Sequence, residues 1–367
     1  MPVALLADSL VVASPGYRGR AMAGPVDSPT IRDVAALAEV SAATVSNYFH
    51  HPERMSAATR ERIRSAMETL NFSPNGAASS LRRGRNPVVG YISYELASAR
   101  TPAITNAMSE RLAAAGMQLL SAVDGGDPAR EREFLDLFER QRVTGVVITP
   151  VTDIEPTLAR LRARGMASVI CAQRARSPEQ TSVSIDHVTG GRLAAEHLLA
   201  TGRRRLAFVT DTLELSQIAD RFAGVTAAVR EHPDATVEVV WSSARSVDAG
   251  EASARQLLQR PRRDLPDALL GVNDLVAMGL CGGLRGSLSI PGEIAVIGYD
   301  DIEFARLAAV PLTSIHTPQE RLGEMAATLL LEEVAGGERR PGDAPRPQVE
   351  LAPELVVRGS TVSAGEP

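Results

Sequence analysis

The sequence predicts an all-α helix-turn-helix head followed by a larger α/β core of two doubly wound, parallel-sheet lobes. Three observations carry that prediction. Capped helical segments lie close together between residues 30 and 72. From Val88 onward, short apolar runs alternate with helical stretches, the rhythm of βα units that build a parallel sheet between helices. The rhythm occurs as two successive sets, so two similar lobes are expected, with a cleft between the carboxyl ends of their strands.

In the head, Thr30 stands where it can cap "IRDVAALA", and Asp33 falls where a negative charge suits the helix dipole. Ile31, Val34, Ala35 and Ala38 follow the i, i+3, i+4, i+7 spacing of one helix face. A break at Glu39-Val40-Ser41 precedes a second helix from Ala42 to Phe49, with Ser41 as its cap. "HHPER" reads as a loop, and Ser56 caps a third helix, "AATRERIRSAMETLNF", striped by Ile63, Ala66, Met67 and Leu70. Two short helices joined by a tight turn and braced by a third make a helix-turn-helix unit over 29–73. "SPNGAASSLRRGRNP" is too polar for a core and reads as a hinge or a plain linker over 74–87. From Thr30 to Arg85 there are eight Arg against five acidic residues, a local excess of +3 in a chain of net charge −5. Any nucleic-acid contact should therefore be local.

The core spans 88–360. "VVGYIS", "GMQLLSAV", "TGVVITP", "ASVICA" and "TSVSID" form the first strand set, with helices at 129–142 and 155–164. "RLAFVTD", "TVEVVW", "DALLGV" and "EIAVIGYD" form the second. "PLTSIHTP" and "VELAPELVVRGS" return late as extra strands, so the chain should cross between lobes more than once. Residues 361–367 read as a tail and 1–28 as a disordered extension, with Met22 a second candidate start. The opening "MPVALLADSLVVAS" lacks a basic stretch and is interrupted by Asp8, so no secretory signal is expected. No run approaches the roughly 18 apolar residues of a membrane span.

Composition excludes several chemistries. All 39 basic residues are arginine, which fits a GC-rich genome and rules out a Schiff-base or P-loop lysine. Cys171 and Cys281 sit far apart in apolar surroundings and read as buried free thiols. The histidines, His50, His51, His187, His197, His232 and His316, show no metal-ligand spacing beyond the adjacent pair. No G-x-S-x-G, H-E-x-x-H, Walker or post-strand G-x-G-x-x-G motif occurs. Neither an enzyme, a metal site nor a cofactor is expected.

"TIRDVAALAEVSAATVSNYF", "MSAATRERIRSAMETLNFSPNGAASSLRRGR", "RLAAEHLLATGRRRLAFVTD", "VNDLVAMG", "SIPGEIAVIGYDD", "PLTSIHTP" and "LVVRGST" follow one another along the chain. Together they resemble, block by block and in order, the lactose/galactose repressor family of bacterial transcription regulators (LacI/GalR) from Thr30 to Ser360. The resemblance implies a periplasmic-binding-protein-like core and a hinge helix that orders on operator DNA. It also implies a cytoplasmic, nucleoid-associated homodimer on a pseudo-palindromic duplex, with a small-molecule effector, a sugar or related metabolite, between the lobes. A receptor for a transported sugar, the alternative, would share the core but need an export signal and have no use for residues 30–85.

Carried over by position, the DNA-contacting candidates are Thr30, Ser41, Ala42, Ala43, Thr44, Ser46, Asn47 and Tyr48 in the head, and Asn75, Ser80, Leu81 and Arg82 in the hinge. Leu81 holds the position of the leucine that wedges into the minor groove. Two departures stand out. Ala42, Ala43 and Asn47 occupy base-reading positions, the last often arginine in the family; asparagine pairs with adenine, whereas alanine offers a thymine-methyl contact or merely close approach. Glu39 stands where the family commonly has glycine, at a cost of about 1 kcal/mol if φ is positive. The effector candidates are Ser98, Arg100, Arg192, Arg221 and Asp274. Each arginine at 192 and 221 reads equally as a structural ion pair, and Asp274 equally as a helix cap. The family's Asn-Pro-aromatic stretch is absent near Ser98 and Arg100. Asp300 and Asp301 are expected to organise a loop, and Trp241 and Phe222 are the available stacking platforms.

Overall fold

The computed structural model describes residues 29–72, 86–94, 100–336 and 344–362, and divides into two compact units, Met1–Arg82 and Arg83–Pro367. In the first unit, α1 (Ile31–Leu37), α2 (Ala42–His50) and α3 (Ala57–Thr69) close around Val34, Val45 and Ile63, all fully buried. Each such side chain contributes roughly 1.5–3 kcal/mol by leaving water. Ser41 and Ser56 accept from the backbone N–H of Thr44 and Thr59, as N-caps do. Glu39 ends α1 in the left-handed region (φ 53°), with Val40 N–H returning to Ala35 O at 3.0 Å. The third helix stops at Thr69, three residues short of the predicted Phe72. Asn71 turns left-handed (φ 49°), and Phe72 N–H folds back to Met67 O at 2.8 Å, which tucks the ring against the head core.

The second unit holds two six-stranded sheets. In lobe 1 the order is β11-β5-β4-β3-β1-β2, with β1 Asn86–Ser93, β2 Gln118–Val123, β3 Val143–Ile148, β4 Ala167–Cys171, β5 Thr181–Ile185 and β11 Gln348–Leu351, all parallel. Alternate residues explain why both faces are covered. Val89, Tyr91, Val147, Val169 and Val183 pack against α4 (Thr101–Ala113) and α12 (Gln319–Gly336). Ile92, Val146, Ile148 and Ile170 share a second core with Leu135 and Phe138 of α5 (Pro128–Arg140) and Leu158 and Leu161 of α6 (Glu155–Arg162).

Lobe 2 repeats the plan as β12-β10-β9-β8-β6-β7: β6 Arg205–Thr210, β7 Thr236–Trp241, β8 Ala268–Gly271, β9 Ala295–Asp300, β10 Thr313–His316 and β12 Glu354–Val356. Its helices are α7 (His187–Ala200), α8 (Ser216–Arg230), α9 (Val247–Leu257), α10 (Asp274–Leu284) and the short α11 (Glu303–Leu307). The chain crosses between lobes at Asp186, at Thr317-Pro318 and at Ala352-Pro353. One strand departs from the predicted parallel set: β12 runs antiparallel to β10. The chain passes from the carboxyl end of β11 in lobe 1 through Ala352-Pro353 straight into β12, so β12 starts at the cleft and runs away from it, opposite to the strands of lobe 2 that end there.

Candidate nucleic-acid interface and inter-lobe cleft

In the head, Ser41, Ala42, Ala43 and Asn47 are exposed on α2, while Val45 is fully buried and Phe49 packs on the core. Thr44 and Ser46 are half-buried. The Thr44 hydroxyl lies 2.8 Å from the Ser41 hydroxyl, so it strengthens the cap as well as facing outward. Tyr48 is half-buried and meets Phe49 edge-on at 5.4 Å. Thr30 donates twice, through N–H and hydroxyl, to the Asp33 carboxylate at 2.7 Å, and those bonds hold Asp33 below the usual carboxylate range. Asn75, Ser80, Leu81 and Arg82 lie outside the described residues, as does Ser98.

In the core, the carboxyl ends of strands from both lobes meet at one cleft. Tyr94 follows β1 and Arg100 precedes α4. Gln217 and Arg221 lie on α8, Arg245 just before α9, Asn273 after β8, and Asp300 ends β9. Arg221 is 4% exposed. Its Nη1 donates to Val272 O at 2.5 Å, and Nη2 stands 3.4 Å from Asp300 Oδ1. Its guanidinium lies over the Tyr299 ring, 3.7 Å from the centroid, a cation–π contact strengthened by desolvation. Arg100 reaches the other Asp300 oxygen at 3.6 Å and Gln217 Oε1 at 3.4 Å. Arg245 donates to the Tyr94 hydroxyl at 2.9 Å and pairs with Asp211 at 3.2 Å. Arg100 and Tyr94 belong to lobe 1 and their partners to lobe 2, so these contacts clasp the lobes. About 20 Å³ of free space remains in the cleft, roughly enough for one water.

Burial sets the protonation states around the clasp. Burial first, then the Arg221 and Arg100 charges, holds His187 well below its usual value, so the ring is neutral. Its Nδ1 accepts from the Tyr299 hydroxyl at 3.0 Å and faces Arg221 Nε at 3.4 Å, which leaves the proton on Nε2, a buried atom with no hydrogen-bond partner. Burial pulls Arg221 down from the usual arginine value, opposed by the Asp300 charge.

Of the effector candidates, Arg100 and Arg221 line the cleft. Arg192 instead pairs on the exposed surface with Glu231 at 2.8 Å and Glu196 at 2.6 Å. Asp274 is the first residue of α10, and the cap is its neighbour Asn273, whose side chain accepts from Val276 N–H at 2.9 Å. Asp274 is 1% exposed and is not among the residues that line the cleft. It accepts from the Ser314 hydroxyl at 2.6 Å and from Ile302 N–H at 2.7 Å, beneath the turn formed by Asp300 and Asp301. Both turn residues are left-handed (φ 98° and 53°). Asp301 organises the loop as expected, with Arg358 at 2.7 Å and His316 at 3.4 Å, whereas Asp300 faces the cleft. Trp241 is 58% exposed and Phe222 packs on Phe208, so neither stacking candidate lines the cleft. Gln217, Arg245, Asn273 and Tyr94 were not singled out by sequence. The available signal was position, because each lies on a segment leaving a strand's carboxyl end.

Among the described residues no group of His, Cys, Asp or Glu could hold a metal ion, and no helix is long and apolar enough to cross a membrane. Residues 30–75 match the lacI family of bacterial regulatory proteins, and residues 195–361 match a periplasmic binding protein-like domain. The HTH-type transcriptional repressor PurR of Glaesserella parasuis serovar 5 is 30% identical, over 90% of this chain and 98% of that protein. PurR of Haemophilus influenzae (strain PittEE) is 29% identical, over 91% of this chain and 99% of that one. Among solved structures, the lac repressor dimer bound to operator and the anti-inducer ONPF superposes with TM-score 0.76 at 27% identity, covering 91% of this chain and 99% of that one. A transcriptional regulator CelR–cellobiose complex gives 0.65 at 27% identity, covering 90% and 99%.

Proposed function

This chain belongs to the lacI family of bacterial regulatory proteins and is a DNA-binding transcriptional regulator, not an enzyme; from that premise we propose how its own residues do the work. The exposed face of α2, with Ala42, Ala43 and Asn47 outward over a packed head core, carries the reading. That face enters a major groove. Asn47 pairs with adenine, the alanines admit close approach to thymine methyls, and Thr30, Ser41, Thr44, Ser46 and Tyr48 supply phosphate and edge contacts. Asn75, Ser80, Leu81 and Arg82 act in the hinge, with Leu81 wedging the minor groove.

Two heads on two half-sites require two copies, as in the lac repressor dimer structure. We place the second copy on α11, where Phe304 and Leu307 are 61% and 63% exposed. The residues that follow α11, Ala308, Ala309 and Val310, line a mainly apolar groove of about 330 Å³ with Met278, Cys281 and Ile290. The regulator acts in the cytoplasm at the nucleoid. A small metabolite enters the cleft between Arg100, Arg221, Arg245 and Asp300, with Arg192 and Asp274 holding the walls, and shifts the lobes between states of different operator affinity.

Selection of duplexes bound by the full-length protein tests this reading. A pseudo-palindrome with adenine opposite Asn47 is expected, and Asn47→Arg should move that preference to guanine. Leu81→Ala should weaken specific binding more than non-specific binding. Absence of specific duplex binding at any salt concentration sinks the reading.

A further inference from the structure

The amino end of β1, opposite the end that carries Tyr94, is held in an irregular way. Asn86 is the first described residue after the segment that joins the head to the core, and Pro87 follows it. β2 joins β1 only at Val88, so Asn86 and Pro87 have β3 alone beside them. Even that pairing is broken. From Asn86 to Val89 is three steps along β1, while their partners Val143 and Gly145 are two steps apart on β3. The extra residue is a bulge, which admits Pro87 where a regular central ladder would want an N–H.

Side chains hold this root instead. Asn86 Nδ2 donates to the Gln141 carbonyl at 3.3 Å. Gln141 is the C-cap of α5, and a helix end leaves its last carbonyls without partners inside the helix. In return, the Asn86 carbonyl accepts from the Thr144 hydroxyl. Arg142, left-handed at φ 52°, turns the chain from α5 into β3 and so brings Gln141 and Thr144 to the same residue. Thr144 is buried and Asn86 half-buried. Beyond the root, β1 is fastened by other means. A Cβ on Gly90 would lie 2.4 Å from the Phe138 ring, so the strand sits tight against α5. Ile92 O and Ser93 O accept from the N–H groups of Thr149 and Asp124 at 2.9 and 3.1 Å. Releasing the two clip bonds therefore frees Asn86 and Pro87, about 7 Å of extended chain, and leaves the rest of β1 in place.

Pro87 has a fixed φ and restricts Asn86 before it to extended backbone, so fixing Asn86 fixes the direction in which the linker leaves lobe 1. Two heads on one dimer feel that direction and length together. A longer tether lowers the effective concentration of the second head at its half-site, whereas non-specific binding has no half-site to meet. We infer that Asn86 and Thr144 form a clip that aims the linker, which makes Thr144 a positioning residue for operator binding from inside lobe 1. This inference rests on the reading of the chain as a regulator that binds an operator through two heads.

The test uses the full-length protein and the duplex it selects. Thr144→Val keeps the branched shape and removes the hydroxyl, so specific binding should weaken about fivefold, the size of one hydrogen bond. Non-specific duplex binding should stay within about twofold, and the Tm of the core within about 3 °C. Thr144→Ser keeps the hydroxyl and should restore specific binding to within about twofold of the parent. Amide exchange reads the clip directly. It should quicken about fivefold over 86–89 in Thr144→Val and stay unchanged over 90–93. The inference is overturned if Thr144→Val binds the operator like the parent, even with faster exchange over 86–89, because the clip is then packing alone. It is equally overturned if the Val and Ser variants lose affinity alike, or if specific and non-specific binding fall together. A parent that binds no duplex specifically fails the regulator reading itself, and the positioning role falls with it.

Discussion

Asp274 shows how much a single residue's role depends on its surroundings. In sequence it stands where a ligand acceptor or a helix cap is wanted, yet its two oxygens instead hold Ile302 N–H and the Ser314 hydroxyl, and Ser314 in turn accepts from Asp301 N–H at 3.1 Å. Burial, with the Asp300 and Asp301 charges adding, outweighs those two bonds and pushes the carboxyl up to about 8. Because the folded pKa lies above the ordinary 3.8, the folded state holds the proton more tightly than the unfolded chain. The group's contribution to stability is therefore complete below about pH 3.8 and is lost as pH rises through about 8. Asp274→Asn can donate to Ser314 and accept from Ile302, so it should remove that dependence. Denaturant midpoints measured from pH 4 to 8 should show the variant gaining on the parent as pH rises. Asp274→Ala should cost roughly 2–4 kcal/mol at pH 4, since it leaves a buried N–H unpaired, and less as pH rises toward 8. Glu39 is the simpler case, because its turn position was legible in sequence and its φ of 53° agrees. Glu39→Gly should stabilise the head by about 1 kcal/mol, read as slower amide exchange in α1 and α3.

At the scale of elements, the decisive packing is helix on helix beside the cleft. A Cβ on Gly191 would lie 1.9 Å from Arg221 O, and one on Gly224 would lie 1.9 Å from Val188 O. Only residues without a side chain let α7 and α8 touch backbone to backbone, and that contact places Arg221 over Tyr299. Gly191→Ala should cost about 1–3 kcal/mol by overpacking and displace Arg221, so the ligand response should fall along with the denaturant midpoint. A fall in the midpoint with an unchanged ligand response would show that α8 adapts without moving the guanidinium. The strands themselves were readable, because alternating or continuous apolar runs bounded by turns demand a sheet. The glycines were equally visible, but nothing local indicates which backbone must come close. The antiparallel β12 was hidden for the same reason, since strand direction follows from which lobe the preceding residue left.

At the scale of the whole molecule, the three crossings make the lobes a coupled pair. All three lie at strand carboxyl ends, the end of each sheet at which the clasp residues also stand. A copy seated on α11 would extend that coupling to a second chain. Phe304→Asp should shift sedimentation toward monomer and weaken operator binding without changing the ligand response of the core. An unchanged sedimentation profile would move the proposed interface elsewhere. The sequence by itself determined the helical head, both sheets, the repeated crossing and the family, because caps, periodicity and ordered motifs are local or follow from burial of regular elements. Only the tertiary structure decided which charges meet. Asp300 and Asp301 are adjacent in sequence, but the left-handed turn sends one into the cleft between two arginines and the other to Arg358. Arg192 and Arg221 read alike in sequence, yet the packing of α7 on α8 buries one against Asp300 at the cleft and leaves the other in a half-exposed surface ion pair, a difference that no local pattern announces.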